Sequence, residues 1–218
     1  LKTVSALEPG FQRLLIVVPR FSALLTWKNE LEKMQLLSAS TELVVVEKWT
    51  QLKRAALWNT QPAAPHRQIV LVLYNTLARD IGLVEHKRAG FDTVIFDESH
   101  RIRNRKTKNF KAAKRLSLSR ERRVMFLTAT PQSRGVQDLW TTLHCLRPRA
   151  WPSYWKFVGR YCVIEDDGFG QKPVGAKKAT LPELRHRVSR YVHNISKKEI
   201  RGWVPDSVRF PLYVRLDR

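Results

Sequence analysis

Cysteine is nearly absent from this chain, with Cys145 and Cys162 the two examples in 218 residues. One pair cannot build a disulfide framework or a zinc site, so a reducing compartment fits the composition best. Acidic residues are scarce as well. Nineteen Asp and Glu stand against 40 Lys and Arg, for a net charge of +21. Such an excess points to a polyanionic partner, either nucleic acid or an anionic membrane surface. Long apolar runs are missing: the stretches at 14–18 and 69–73 are strand-sized, far short of the ~18 residues that a membrane span needs. No segment has the charged, apolar and small-residue succession of a secretory leader, so secretion is not expected. Wholesale disorder is excluded by 43% hydrophobic and 27% charged residues. The first residue is Leu, which raises the expectation that the chain is a fragment.

Apolar runs at 14–18, 43–47, 69–73, 93–96 and 123–127 read as strands, and segments 22–34, 48–58 and 108–116 have near-helical apolar spacing. Strands apolar on both faces, alternating with helices, predict an α/β domain with a mostly parallel sheet. Residues 1–8 read as the tail of a helix stopped by Pro9-Gly10. Beyond Pro148 the pattern changes. Trp151, Tyr154, Trp155, Phe157 and Tyr161 cluster, a Gly-containing turn region spans 165–175, a basic helix is expected at 182–200, and a last strand at 210–214. The expected division is therefore 1–148 and 149–218.

Two strand ends carry chemistry. Asp97-Glu98-Ser99-His100 closes the strand at 93–96, and Leu127-Thr128-Ala129-Thr130-Pro131 closes the strand at 123–127. In open α/β sheets ligands sit outside the carboxyl ends of the strands. There an Asp can hold Mg²⁺ through its water shell, and a Glu can orient or deprotonate an attacking water. Two hydroxyls in a short turn can bond a neighbouring carboxylate. The bland alternatives are a solvated acidic turn and a Ser/Thr turn stopped by proline.

In this order the two segments resemble motif II, of DExH type, and motif III of the superfamily 2 helicases, and the chain is most similar to the Snf2 group of ATP-dependent DNA translocases. Leu15-Ile16-Val17-Val18-Pro19 with Trp27 and Glu30 resembles motif Ia, and Tyr74-Asn75-Thr76-Leu77 resembles the family's T-Y-E-T-L. Asp97 to Asn104 is similar to D-E-A-H-R-I-K-N, and 199–205 to the stretch before the second lobe. Departures are Asn75 for Glu, T-A-T-P for T-G-T-P, and Gln132-Ser133-Arg134 for I-Q-N.

The resemblance implies a RecA-like first lobe using ATP and Mg²⁺ on double-stranded DNA, with a second RecA-like lobe as partner and no membrane. Asp97 would bind Mg²⁺, and Glu98 would act on water. His100 would sense the γ-phosphate or touch motif III, and Thr128 and Thr130 would couple hydrolysis to motion. Arg20, Ser22, Tyr74 and Thr76 would face the DNA backbone. Between Arg101 and Arg123 eleven basic residues accompany one acid, Glu121, and Arg101, Arg103, Arg105 and Lys106 lead that run. Phosphate contact is the favoured reading, and a solvated charged face is the alternative.

Against this background one element is absent. No glycine in the sequence is followed by lysine, so the chain holds no G-K-[ST] phosphate loop. The segment Gly170 to Lys177 has near-correct spacing, but Ala176 stands where Lys is required, and a hairpin is the better reading. The chain is expected to begin just past a Walker A motif and to lack its strand and helix. The rival reading is a basic, non-catalytic DNA-binding module derived from such a lobe, and an RNA-acting or restriction-type superfamily 2 enzyme is a third. For the 218-residue chain by itself the expected ATPase rate is at background. DNA-stimulated phosphate release from the purified chain would overturn that expectation.

Overall fold

The computed structural model describes residues 10–193 except 34, 36, 38, 64, 87, 88, 120, 167 and 169. The helix expected at 1–8, the end of the one at 182–200 and the strand at 210–214 lie outside the described residues. Five parallel strands form one sheet in the order β2-β3-β1-β4-β5. They are β1 (Arg13–Val18), β2 (Thr41–Val45), β3 (Arg67–Leu73), β4 (Thr93–Phe96) and β5 (Arg123–Phe126). All five overlap the apolar runs in the sequence, with β2 starting and ending two residues earlier than the expected 43–47. β1 lies at the centre because every one of its residues is buried, including Leu14, Leu15, Ile16, Val17 and Val18 at 0% exposure. Only a strand covered on both faces can bury such a run.

Helices fill the crossovers. In α1 (Phe21–Lys33), Leu24, Trp27 and Leu31 recur at helical spacing and are the residues it buries. They join Leu14, Ile16, Ile69, Leu71 and Ile95 in the core. Helix α2 (Gln51–Asn59) starts three residues later than the apolar pattern suggests, because Thr50 caps it by accepting from the Lys53 amide. Lys48, with φ of 48°, makes a left-handed turn before it. Helix α3 (Tyr74–Val84) follows β3 with no intervening loop, and its start was not visible in the sequence. Thr107 caps α4 (Lys108–Ser117) in the same way as Thr50.

After β5 come α5 (Leu139–Leu146), α6 (Tyr154–Tyr161) and an antiparallel hairpin of β6 (Cys162–Asp166) and β7 (Gln171–Ala176). The hairpin takes up much of the expected turn region and accounts for the Gly170 to Lys177 segment. Trp151, Phe157 and Tyr161 are buried, with ring centroids 5.6 Å apart for Trp151–Phe157 and 5.0 Å for Phe157–Tyr161. The aromatic cluster is therefore mainly packing, although Trp155 keeps 46% exposure. The chain divides into compact units of 1–177 and 178–218. In the second, α7 (Leu181–Val188) carries a Glu183–Arg187 ion pair at 3.5 Å.

Two buried arginines brace the first unit away from the acidic loop. Arg13 donates to Gln68 Oε1 (2.8 Å) and to the carbonyls of Ala89 (2.5 Å) and Leu57 (2.8 Å), and lies 4.4 Å from the Phe91 ring centroid. Burial draws its pKa down to about 10, against the pull of Glu42. Arg54 of α2 pairs with Asp80 of α3 through Nε–Oδ2 at 2.5 Å and Nη2–Oδ1 at 3.1 Å, and the Trp58 indole donates to the same carboxylate at 3.0 Å. Breaking such a pair strands a charge, so Asp80→Ala should cost about 3–5 kcal/mol in urea unfolding. Replacing both partners, Arg54→Met with Asp80→Leu, should recover most of that loss. Burial also pushes the Cys145 thiol up to about 12 and raises that of Cys162. Both thiols are neutral at pH 8, and neither should react with a disulfide reagent there until urea opens the fold.

Candidate functional site at the carboxyl ends of the strands

The ladder that joins β1, β4 and β5 does not stop where the strands stop. The Asp97 amide donates to the Val17 carbonyl at 2.9 Å, Leu127 to Phe96 at 2.9 Å, and Ser99 to Leu127 at 2.8 Å. These bonds tie the acidic loop after β4 to the end of β1 on one side and to the start of the Thr128–Thr130 turn on the other. The sheet thus brings together the two segments that carried the chemistry in the sequence.

Within the loop each oxygen of Asp97 has a partner. Oδ2 accepts from Trp27 Nε1 at 2.9 Å, Oδ1 from the Glu98 amide at 2.9 Å, and the carbonyl from the Tyr74 hydroxyl at 2.9 Å. Glu98 sits in the left-handed region (φ 46°, ψ 54°). For a residue with a Cβ this conformation costs about 1–2 kcal/mol, and such strain clusters at functional sites. Its Oε2 lies 3.1 Å from His100 Nδ1. The approach is close but misaligned, so that nitrogen lacks a hydrogen bond. Beyond the ladder, the Thr128 hydroxyl accepts from the Thr130 amide at 3.1 Å, a Ser/Thr turn in form. Asp97 and Glu98 are partly exposed, as is Thr128, and Thr130 is open to solvent.

Carboxylate and hydroxyl oxygens are the donor set that suits a hard cation such as Mg²⁺. Among the described residues no group of three or more His, Cys, Asp or Glu could hold a metal unaided. On donor chemistry the site fits the ion.

The expected nucleic-acid residues divide. Arg20, Ser22, Arg101 and Lys106 are exposed. Arg103 donates to Ser133 Oγ at 2.5 Å, and Ser133 and Arg134 both bond the buried Asp138. The Arg105 guanidinium lies 4.7 Å from the Tyr154 ring centroid. Tyr74 and Thr76 are withdrawn from the surface, at 3% and 7% exposure. Helix α3 turns Tyr74 inward, where burial, with Asp97 adding to it, pushes its phenol well above the usual range. It braces the acidic loop instead of presenting a free hydroxyl.

Sequence reasoning missed three features: Trp27 and Tyr74 as partners of Asp97, and Asp138 as the anchor of the segment after motif III. Trp27 was legible as an apolar helix position and as part of the motif Ia resemblance, but no local signal reveals where an indole N–H points.

A parallel α/β sheet with an acidic pair at one strand end and a hydroxyl turn at the next is the arrangement of a RecA-like lobe. The SNF2-related domain matches residues 4–218, so the chain belongs to that family. The fold is similar to that of a Sulfolobus solfataricus SWI2/SNF2 ATPase core solved in complex with dsDNA, with a TM-score of 0.63 at 24% identity over 91% of this chain and 37% of that one. In sequence it is 40% identical over 97 residues to a Xenopus laevis SWI/SNF-related matrix-associated actin-dependent regulator of chromatin subfamily A-like protein 1, covering 44% of this chain and 10% of the relative. It is 27% identical over 203 residues to an uncharacterized ATP-dependent helicase of Mycoplasma pneumoniae, covering 93% of this chain and 17% of that protein. The chain thus spans a small part of the relatives it matches.

The Tyr74 contact can be checked directly. Tyr74→Phe keeps the ring and removes one hydrogen bond, so it should lower unfolding free energy by about 1 kcal/mol in urea titration.

Proposed function

We propose that this chain is the first lobe of an ATP-dependent translocase on double-stranded DNA, in which ATP hydrolysis drives movement along the duplex. The observation that carries the reading is the ladder past the strand ends, which holds Asp97, Glu98 and the Thr128–Thr130 turn on one edge of the sheet. Asp97 would hold Mg²⁺ through water, and the ion, when bound, neutralises phosphate charge. Glu98, lifted from the loop by its left-handed backbone, orients the attacking water and accepts its proton. His100 stands beside Glu98 and is placed to report the state of that carboxylate. Thr128 and Thr130, just after Leu127, whose carbonyl accepts from the Ser99 amide, would couple hydrolysis to motion. A second RecA-like lobe would close the site and complete the phosphate cradle.

The duplex would lie along Arg20, Ser22, Arg101 and Lys106, the exposed members of the basic set, with Tyr74 and Thr76 supporting that surface from below. Contacts of this kind read backbone charge, not base sequence. Part of the basic run is committed elsewhere: Arg122 donates to the carbonyls of Phe91 and Glu85, and Arg115 to the Glu85 carboxylate. Work on chromosomal DNA inside the cell accords with the composition, and no described helix is long and apolar enough to cross a membrane.

In the full-length protein, Glu98→Gln should lower DNA-stimulated ATP hydrolysis by about 10²–10⁴-fold, the range of general-base losses, with DNA affinity retained. Unchanged hydrolysis would assign the lobe to the non-catalytic DNA-binding class.

A further inference from the structure

Trp27 lies in the middle of α1 and packs with Leu24 and Leu31 against the central strands. That position asks only for apolar bulk, which Leu or Phe would supply. An indole at 7% exposure also brings an N–H that needs an acceptor. The acceptor is Asp97 Oδ2, 70 residues along the chain and 2.9 Å away. With Oδ1 taken by the Glu98 amide and the carbonyl by the Tyr74 hydroxyl, residue 97 is gripped from three directions. An ionised carboxylate offers about four lone-pair sites, so two remain for a ligand.

We propose that Trp27 is a positioning residue: its indole N–H fixes the plane of the Asp97 carboxylate, so that the remaining lone pairs are aimed before metal and nucleotide arrive. The inference rests on the reading of Asp97 given above. A donor held rigidly in the core suits this role, because the helix that carries it is locked by packing on β1 and cannot follow the loop. The carboxylate then needs no reorganisation when its ligand binds.

Trp27→Phe in the full-length protein keeps the aromatic packing and deletes the donor. The measurement is the Mg²⁺ dependence of binding of a fluorescent ADP analogue, with thermal melting and DNA affinity recorded alongside. The expected result is a rise of about 10-fold in the Mg²⁺ concentration for half-maximal binding, as is usual when a partner of a metal-binding group is removed. Melting should fall, by the loss of one hydrogen bond and some core volume, while DNA affinity and nucleotide affinity in chelator stay near the wild type. A merely structural role would lower melting and leave the Mg²⁺ midpoint in place, so an unmoved midpoint overturns the proposal. Asp97→Asn separates the two readings. If it too leaves the midpoint unmoved, the role of Asp97 falls and Trp27 with it; if it abolishes Mg²⁺-dependent binding while Trp27→Phe changes nothing, only the role of Trp27 falls. Should Trp27→Phe not fold, the Trp27 indole proton should exchange with solvent faster in Asp97→Ala than in the wild type, and equal rates overturn the contact.

Discussion

The hydrogen-bond ladder through β1, β4 and β5 is the constraint on which the rest of this structure depends. A parallel sheet aims every strand's carboxyl end the same way, and here three bonds continue the pairing into the loops: Asp97 to Val17, Leu127 to Phe96 and Ser99 to Leu127. Loop residues normally float on the surface. These inherit the rigidity of a core in which β1 and β4 are wholly buried. The stacked rings of Phe96 and Phe126, with centroids 5.0 Å apart, hold the ends of β4 and β5 together from one side.

That rigidity makes tolerable what would otherwise be costly. Glu98 keeps a left-handed backbone, and the Asp97 carboxylate is held by donors from α1 and from its own loop. Strain of this kind persists only where the surroundings over-determine it. At the opposite end of the strands, burial is handled with charge. Arg13 closes a gap between Ala89, Leu57 and Gln68, and Gly90, with φ of 63°, follows in the one conformation that a side chain would strain. Arg54 and Asp80 tie α2 to α3. The large basic surplus is therefore not all surface: Arg13 and Arg54 are buried and structural.

The five strands were legible because a parallel strand covered on both faces leaves an unbroken apolar run, which little else in a chain of this charge imitates. The acidic strand-end motif and the hydroxyl turn were legible for a related reason, since each directly follows such a run. Helix α3 was not assigned, because it follows β3 without a loop and no side chain caps its start. The aromatic cluster after Pro148 was visible in the sequence, and burial makes packing the role of Trp151, Phe157 and Tyr161. The pairing of β6 with β7 depends on contacts that no local pattern announces.

The sequence by itself determined the class of the sheet, the two segments at its strand ends and the sign of the chain's own charge, because these follow from composition and from what ends an apolar run. Tertiary structure alone decided which groups serve Asp97 and which basic residues stay free. Trp27 and Tyr74 meet residue 97 across separations of 70 and 23 positions, and Arg105 turns onto Tyr154 instead of into solvent. Directions of that kind are fixed by packing between distant elements, where a hydrogen-bond donor's aim depends on the whole fold and not on its neighbours in the chain.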